Sequence, residues 1–380
     1  MTKKIIKITA IVLVALFALL LFLVLGYVIY VAAQYYRIKD NQALTTSQNT
    51  EQRLAVGQEY SVVSYNVGFG AYSPEYSFFM DEGVMQDGTM TYGIYAKGMS
   101  KADVEKNVAG QITMLQGLSA DFCLLQEADE NAHRSYNINM VERFATELLG
   151  YSSTYACNFH TANLFYPFND PIGIINGGIQ TLSRYNIQSS LRRSFPVTTD
   201  FIDKLFDLDR CFTMHYIPIE GSEKMLVLMN VHMSAYDEGG KIRAQQLEML
   251  NSVLSAEYAL GNYVIAGGDF NHCLIADKFA NDEEALAYYP TQQQIPDWVK
   301  TSILHNSEIA SGFKVVASKD GAATCRGADM PYEKGVNYET VIDGFIVSDN
   351  VEVTWEGTID TAYAYSDHNP VKMSFRLKAV

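Results

Sequence analysis

The sequence predicts an α+β sandwich that follows a single N-terminal membrane-spanning segment. Strand-like segments of buried type recur from residue 59 onwards, and amphipathic helical segments lie between some of them. Few of these segments form strict strand–helix–strand units, which favours packed sheets over a doubly wound parallel sheet. Hydrophobic residues make up 48% of the 380 residues, with 25 Tyr and 19 Phe, and this composition suits sheets packed face to face.

The N-terminal segment has the composition of a membrane anchor. An uncharged run covers residues 8–36 and exceeds the roughly 20 apolar residues that cross a bilayer. Three lysines precede it, so the positive-inside rule predicts a cytoplasmic N-terminus over residues 1–7 and an extracytoplasmic domain at the cell membrane. A cleaved signal peptide is the alternative, with "YVAAQ" (30–34) as its small-residue site. The run is longer than the roughly 7–15 residues of a signal-peptide core, which favours an uncleaved single-pass anchor.

The polar stretch over residues 37–57 has no apolar period and is predicted to be a linker to a domain over residues 58–380. The whole chain carries a net charge of −15 and residues 1–40 carry about +4, which leaves about −19 for the rest. An acidic domain does not attract polyanions, which counts against tight, sequence-blind DNA binding. The five cysteines include no CxxC pair, which argues against a disulfide framework and against a cysteine zinc site.

Strand and helix patterns follow one another along the domain. Ser100 and Asp103 resemble a capping box at the start of one helix, whose apolar residues share one face. Two irregular, aromatic segments, 68–98 and 157–177, follow apparent strands. Long loops of this kind are often functional, and simple loop variation is the other interpretation. The predicted strands are 60–69, 122–129, 177–187, 211–219, 225–236, 262–271, 340–359 and 368–379, and the predicted helices are 100–121 and 241–260.

Polar residues stand at the ends of six of these strands. Asn and Asp are ordinary turn formers, so one such residue carries little information. Six strand ends with this feature predict that the ends converge on one pocket. The residues are Asn66, Glu127, Asn230 with His232, Asp269 with Asn271, Asp343, and Asp367 with His368.

The chemistry of this set fits phosphoester hydrolysis. Glu127 and Asp367 are hard oxygen ligands that suit Mg²⁺ or Mn²⁺ rather than zinc. Asp269 can orient or deprotonate a water, and His368 paired with Asp343 can contact a phosphoryl oxygen or relay a proton. The sequence contains no GxSxG elbow and no GxxxxGK[ST] loop, which argues against acyl transfer and P-loop nucleotide hydrolysis.

With these residues in place, the sequence resembles the endonuclease/exonuclease/phosphatase superfamily, the DNase I-like metal-dependent phosphoesterases. "GDFN" alone is a weak signal, whereas "QE", "GDFN" and "SDH" in this order, each at a strand end, form a strong one. The resemblance covers about residues 59–380. It rests on "SYNVG", "LLQEAD", "GIQTLSRYNI", "MNVHMS", "GGDFNHC", "VIDGFIVS" and "YSDHNPV".

The resemblance implies a four-layer α/β/β/α sandwich (DNase I-like) with its site at one edge. It implies that Glu127 binds the catalytic Mg²⁺, with Asn66 and Asp367 as further ligands. Asn66 and Asn271 can also donate hydrogen bonds to developing charge on the phosphate.

The resemblance implies a role for each remaining residue of the set. Asp269 positions the attacking water, and Asn271 contacts the scissile phosphate. His368, supported by Asp343, contacts the phosphate and stabilises its transition state. His232 is either a second phosphate contact or the proton donor to the leaving oxygen.

The sequence therefore predicts a membrane-anchored, Mg²⁺-dependent phosphoesterase (Mn²⁺ is the alternative ion) that cleaves a phosphodiester or phosphomonoester by metal-assisted attack of water. A lipid head group, a small phosphoester and nucleic acid remain open as substrates, so a nuclease acting on extracellular DNA or RNA stays an alternative. The run 341–344 lacks the Arg and Asp-Tyr of members that cut abasic DNA, and 324–332 lacks the extended motif of inositol phosphatases. A non-catalytic scaffold is the second hypothesis, and the intact acidic and His set argues against it. No obligate protein partner is evident.

Overall fold

Strands and helices follow one another along the chain much as the sequence predicts. The structure, a computed structural model, describes residues 2–200, 204, 208–235 and 240–379. Its strands are Gln42–Ala43 (β1), Thr46–Ser47 (β2), Glu59–Asn66 (β3), Glu82–Val84 (β4), Met90–Tyr92 (β5), Phe122–Asp129 (β6), Ser152–His160 (β7), Asn176–Ser183 (β8), Ser189–Ser194 (β9), Cys211–Pro218 (β10), Met225–His232 (β11), Tyr263–Asp269 (β12), Phe313–Val316 (β13), Cys325–Arg326 (β14), Glu339–Thr340 (β15), Asp343–Ser348 (β16), Val351–Thr358 (β17) and Val371–Leu377 (β18). Its α-helices are Thr2–Gln34 (α1), Lys101–Leu118 (α2), Met140–Glu147 (α3), Lys241–Ala259 (α4), Asp282–Leu286 (α5) and Asp297–Lys300 (α6).

Two seven-stranded sheets form the centre of the domain. The first sheet has the order β17-β18-β3-β6-β8-β7-β2, and the second has the order β1-β9-β10-β11-β12-β16-β13. Each sheet contains one parallel pair near its middle, β3 with β6 and β11 with β12. The neighbouring strands are antiparallel, so both sheets are mixed, as expected for an α+β sandwich.

Side-chain alternation on the strands divides the core into layers. Val62 and Leu124 of the first sheet and Leu228 and Ile265 of the second are fully buried in one cluster between the sheets. The side chains at the intervening strand positions, such as Tyr65, point outward towards the helices. On the first sheet this outer cluster includes Val108, Ile112 and Phe144 of α2 and α3. On the second it includes Leu250 and Leu254 of α4. The four-layer α/β/β/α order is thus confirmed.

The start of α2 has the predicted cap. Ser100 is extended, and its side chain accepts a hydrogen bond from the backbone N–H of Asp103 at 3.1 Å. This bond satisfies one of the free N–H groups of the first turn. The buried face of the helix carries Val104, Val108 and Ile112, which recur at helical spacing.

Helix α1 precedes the sandwich and projects from it. It is long and apolar enough to cross a membrane, and most of its side chains lie exposed on the protein. A signal sequence has the same composition near the N-terminus. Only the last two turns contact the domain, where Val31 is buried.

The segment predicted as a free linker, residues 37–57, instead lies along both sheets. β1 pairs with β9 at the edge of the second sheet, and β2 pairs with β7 at the edge of the first. Leu54 is fully buried in the cluster between the sheets. The polar composition was misleading because short edge strands keep polar side chains exposed while their backbone groups pair with a neighbouring strand.

This arrangement predicts a stability effect at Leu54. We expect Leu54→Ala to lower the free energy of unfolding by about 2–4 kcal/mol, because it leaves a cavity between the sheets. The matched change Val56→Ala, at a side chain that is 41% exposed, should cost less than about 0.5 kcal/mol. Urea unfolding of the two variants measures both values, and equal values would contradict the docking of this segment.

Candidate active site

One row of polar side chains crosses the end of the second sheet. His232 on β11 is the register partner of Asp269 on β12, and Asp269 is the partner of Asp343 on β16. All three occupy alternate strand positions whose side chains point towards the first sheet. They therefore extend the cluster between the sheets to the edge of the second sheet. His232 Nε2 lies 3.6 Å from Asp269 Oδ2. The row explains why residues far apart in sequence converge.

The two glycines before Asp269 let other groups approach β12 closely. A Cβ on Gly268 would lie 1.9 Å from the backbone oxygen of Val231, and one on Gly267 would lie 2.6 Å from the Phe345 ring. Any side chain there would push β11 or β16 away from β12. The "GGD" run therefore holds Asp269 in line with its neighbours on both sides.

The first sheet supplies Asn66 and Glu127 to the same edge. Strand parity would turn Glu127 away from the second sheet, because Phe122, Leu124 and Gln126 already face it. A break in the β6–β8 register between Leu125 and Ala128 changes this, and Glu127 has φ +57°. A β-bulge with a left-handed residue re-aims a side chain at a local energetic cost. Here it turns Glu127 into the site.

Asn66 connects the two sheets at the site. Its Nδ2 donates to Glu127 Oε1 at 3.2 Å and to Asp269 Oδ2 at 3.0 Å, and its Oδ1 accepts from the Gly68 N–H at 3.0 Å. The side chain is almost fully buried. It therefore holds the carboxylates of the two sheets at a fixed separation.

His368 is held by Asp343 in a cationic state. Its Nδ1 donates to Asp343 Oδ2 at 2.8 Å, and its Nε2 lies 3.9 Å from Asp269 Oδ2. Burial acts to lower the pKa of His368, but the adjacent carboxylate of Asp343 outweighs it and holds that pKa well above its ordinary value. Its Nε2 is therefore a charged donor that lies towards Asp269 in the row of polar groups.

His232 has the opposite electrostatic environment. Burial first, and then the positive charges of Arg210, His368 and Arg134, hold the pKa of His232 well below its ordinary value. A neutral imidazole at this position suits a hydrogen-bond contact better than the donation of a proton from an imidazolium. Two histidines at one site with pKa values pushed apart are typical of divided acid–base roles.

Asp269 lies at the centre of these groups. Burial, together with the charge of Asp343, raises the pKa of Asp269 to about 7, against the opposing effects of His368 and of the hydrogen bonds from Asn66 and Asn271. A carboxylate whose pKa lies near neutral pH is matched to accepting a proton from water.

Two sets of donor atoms are candidates for a metal ion. Asp269, Asp343 and His368 place one donor atom each within 4.8 Å of one another. The cationic state of His368 and its bond to Asp343 disfavour that set, because a ligating His must be neutral. The other set contains Glu127 and Asp367, and the pKa of Asp367 is raised by burial and by the charge of Glu127, against the effect of His368. Because the charge of Glu127 raises the pKa of Asp367, this pair is suited to a divalent cation, which would offset the repulsion between the two carboxylates.

The structure places the other predicted residues near the site or outside it. Asn271 has φ +50°, its N–H donates to Asp269 Oδ1 at 2.9 Å, and its Nδ2 donates to the Met233 oxygen at 2.9 Å. Asn230 is not at the site, because its side chain is buried between the sheets against Gln126. His160, in the second aromatic segment, packs against Tyr36, with ring centroids 4.2 Å apart.

Arg210 is a site residue that the strand-end pattern did not reveal. It is 4% exposed, and its Nε and Nη1 have no hydrogen-bond partner among the described residues. It directly precedes β10, which runs antiparallel to β11 and pairs Phe212 with Val231, so it lies at the same edge as His232. In the sequence, the signal for this residue is its position, since it is a basic residue directly before the predicted strand 211–219. An unpaired buried guanidinium beside this site is suited to an anionic ligand.

Comparisons with known proteins agree with this fold. The model of the Endonuclease/Exonuclease/phosphatase family matches residues 63–368. No curated protein sequence matches the chain. Similar solved structures include an endonuclease/exonuclease/phosphatase from Beutenbergia cavernae, with 13% identity and a TM-score of 0.55 over 85% of this chain and 72% of that one.

Two further structures share the fold at similarly low identity. A humanized D. rerio TDP2 has 14% identity and a TM-score of 0.50 over 84% of this chain and 99% of that one. The human Nocturnin catalytic domain, solved with a bound sulfate anion, has 11% identity and a TM-score of 0.50 over 88% and 97%. At such identities the likeness concerns the fold, whereas the family model covers most of the chain. The chain belongs to the endonuclease/exonuclease/phosphatase family.

Proposed function

We propose that this chain is a membrane-anchored phosphoesterase that hydrolyses a phosphodiester or phosphomonoester with Mg²⁺ as its ion. The observation that carries the proposal is the convergence of Asn66, His232 and His368 on the carboxylate of Asp269, at 3.0, 3.6 and 3.9 Å. A proton acceptor, a cationic donor and a neutral donor within a few ångströms of one another match the needs of water attack on a phosphoester.

Glu127 and Asp367 are the residues that would hold the ion. Asn66, predicted as a third ligand, does not fit that role in this structure, because its Nδ2 faces Glu127 and its Oδ1 accepts from the Gly68 N–H. Carboxylates are donors that Mg²⁺ prefers, and Glu127 remains partly exposed, with 24% of its side chain accessible. When bound, the ion supplies positive charge that polarises the phosphoryl group and stabilises the charge that develops on it.

Asp269 accepts the proton of the attacking water in this proposal. The hydrogen bonds from Asn66 Nδ2 and from the Asn271 N–H fix the orientation of its two oxygens. Burial removes competing bulk water from the carboxylate and raises its pKa. The chain thus presents an oriented base without moving any backbone element.

His368 and His232 contact the phosphoryl oxygens from two sides. His368 carries the positive charge and donates through Nε2, since Asp343 occupies its Nδ1. His232 is neutral and contributes a hydrogen bond. Arg210 adds a second fixed positive charge through the guanidinium nitrogens that have no partner among the described residues.

The membrane anchor in this proposal is α1. Its length and composition support a span, and the lysines before it support a cytoplasmic N-terminus with the domain on the opposite side. The contacts of residues 37–57 with both sheets leave little free chain between the span and the domain.

The deciding experiment measures turnover by the full chain in detergent micelles. Bis-p-nitrophenyl phosphate, p-nitrophenyl phosphate and plasmid DNA are compared with Mg²⁺ and with EDTA. We expect metal-dependent hydrolysis that is lost in Asp269→Asn. A chain that binds Mg²⁺ but cleaves none of these substrates, or that cleaves them equally well as Asp269→Asn, would contradict the proposal.

Glu127→Gln tests the metal ligands. We expect Mg²⁺ affinity, measured by titration calorimetry, to fall by at least about tenfold, because one carboxylate charge is removed while the shape is kept. Glu130→Gln, at an exposed acid three residues further on, should leave the affinity unchanged. Unchanged affinity in Glu127→Gln would exclude this residue as a ligand.

His368→Ala tests the cationic donor. We expect kcat to fall by about 10²-fold or more, the scale of a lost proton or oxyanion partner. Asp343→Asn should lower kcat in the same direction, and the double variant should be no worse than His368→Ala alone, because the two residues act as a pair. Additive losses, or a loss below about threefold in His368→Ala, would disprove this role.

Arg210→Met tests the unpaired guanidinium. We expect KM for a phosphoester to rise by about ten- to hundredfold, because a hydrogen bond to a charged group is lost, and Arg210→Lys should recover part of it. Arg193→Met, at a residue on β9 that pairs with Asp40, is the matched control. Steady-state kinetics that show the same KM in Arg210→Met and the parent chain would rule out substrate contact.

A further inference from the structure

The loop over residues 161–175, here called the aromatic loop, exposes three large rings. It connects β7 to β8, and Phe165, Tyr166 and Phe168 are 48%, 63% and 86% exposed. Rings of this size are costly to leave in water, and a contiguous group of them marks an interaction surface. Together with the 68–98 segment, this loop carries more than half of the exposed large apolar side chains that the described residues after Gln34 present.

The aromatic loop packs against the C-terminal end of α1. The rings of Tyr27 and Phe165 lie 5.3 Å apart, and the Tyr27 hydroxyl donates to the Asn163 oxygen at 3.3 Å. Val31 and Ala162 are buried against each other. The loop is thus in contact with the apolar helix rather than remote from it.

The length of α1 sets the depth of this contact. Ile8 is the first residue after the three N-terminal lysines. At about 1.5 Å per residue, Tyr27 lies about 30 Å further along the helix than Ile8. That distance is close to the thickness of the hydrocarbon core, about 30 Å. Tyr27 and Tyr30 therefore lie where aromatic side chains mark the membrane–water interface. Phe165 of the aromatic loop contacts Tyr27 and lies at the same level.

The aromatic loop also borders the catalytic edge. Strand β8 begins at its end and pairs Gly177 with Asp129, two residues beyond Glu127. The loop and the proposed metal ligands therefore occupy one edge of the first sheet.

A series of ring contacts joins the aromatic loop to the site. The centroids of Tyr166 and Phe79 lie 5.7 Å apart, those of Phe79 and Phe78 lie 5.0 Å apart, and those of Phe78 and Tyr72 lie 6.3 Å apart. Tyr72 lies beside Asp367, since a Cβ on Gly68 would meet Tyr72 Cδ2 at 2.7 Å and Asp367 Oδ1 at 3.0 Å. A continuous series of ring contacts thus runs from the aromatic loop to the ring beside Asp367.

We propose that the aromatic loop lies in the interfacial layer of the membrane that α1 crosses, and that the site cleaves the phosphoester of a lipid in that membrane. The proposal rests on the proposed function and names its substrate class. The oxygen of the attacking water forms a bond to phosphorus and gives a proton to Asp269, while the bond between phosphorus and the leaving oxygen breaks. The leaving oxygen takes a proton from bulk water, which regains one when Asp269 deprotonates. The negative charge of the domain, about −19 outside residues 1–40, opposes polyanionic nucleic acid as the alternative.

The first test measures the depth of the loop in the membrane. The full chain is reconstituted in phosphatidylcholine vesicles that contain lipids brominated near the top of the acyl chain. The parent chain already contains Trp298 and Trp355, so its fluorescence is subtracted from that of Phe168→Trp. We expect the remaining fluorescence, which comes from the tryptophan at position 168, to be quenched. Leu149→Trp is the control, because Leu149 is 82% exposed and precedes the opposite end of β7. Equal quenching at both positions, or none at 168, would overturn the docking of the loop.

The second test separates lipid turnover from phosphoester chemistry. Vesicles of phosphatidylcholine, phosphatidylglycerol and sphingomyelin are compared with soluble bis-p-nitrophenyl phosphate. We expect the double change Phe165→Ser with Phe168→Ser to lower lipid turnover by about tenfold, since lost apolar burial in the interface misplaces the site. Soluble turnover should change by less than about twofold, and Leu149→Ser should alter neither.

Each remaining outcome contradicts a different statement. Cleavage of the soluble ester without cleavage of any vesicle lipid overturns the lipid substrate and leaves the proposed function standing. Cleavage of neither substrate by the Mg²⁺-loaded chain overturns the proposed function itself. Equal losses on both substrates in the double variant would mean that the loop supports the fold of the site and not its position at the membrane.

Discussion

The packing of the two sheets against each other is the constraint on which the site depends, and a buried amide pair fixes it. Gln126 Nε2 donates to Asn230 Oδ1 at 2.7 Å, and Asn230 Nδ2 donates to the backbone oxygens of Leu125 and Gln180 at 3.1 and 3.0 Å. A sliding of one sheet over the other would leave these groups unpaired in an apolar core, which is costly. In the observed stacking, the amide of Asn66 reaches Asp269 on the opposite sheet at 3.0 Å.

The same stacking gives the two histidines different charges. His368 precedes β18 of the first sheet and reaches the carboxylate of Asp343 on the second, so it stays protonated. His232 lies within the second sheet, buried near Arg210, and stays neutral. The two residues are of the same type, so residue type does not decide their charges. Their roles follow from which charged groups the sheet edge places beside each ring, which is how one pocket can hold a proton acceptor and a cationic donor together.

The contacts of α1 join the proposed membrane anchor to the edge that carries the candidate site. The chain after α1 runs onto both sheets, and the aromatic loop returns to the helix from the end of the first sheet that carries Glu127. An anchor on a long free linker would let the domain face in any direction. An anchor packed on a loop beside the site would restrict that direction, which is the physical basis for the proposed substrate in the same membrane.

The sequence by itself determined the layers, the apolar span, the cap of α2 and most of the site. Alternation with period two assigns faces, and polar residues at strand ends locate an edge; Asn66, Asp269, Asp343 and His368 follow from these local patterns and from the family motifs. Tertiary structure decided the direction of Glu127, because a bulge with φ +57° reverses the parity that alternation predicts. It also decided that Asn230 packs between the sheets and that residues 37–57 pair with the sheet edges. It placed Arg210 near His232, with Nε and Nη1 lacking a hydrogen-bond partner among the described residues. These features depend on contacts between groups far apart in the chain. The local sequence pattern of a segment carries no information about which distant strand will lie beside that segment.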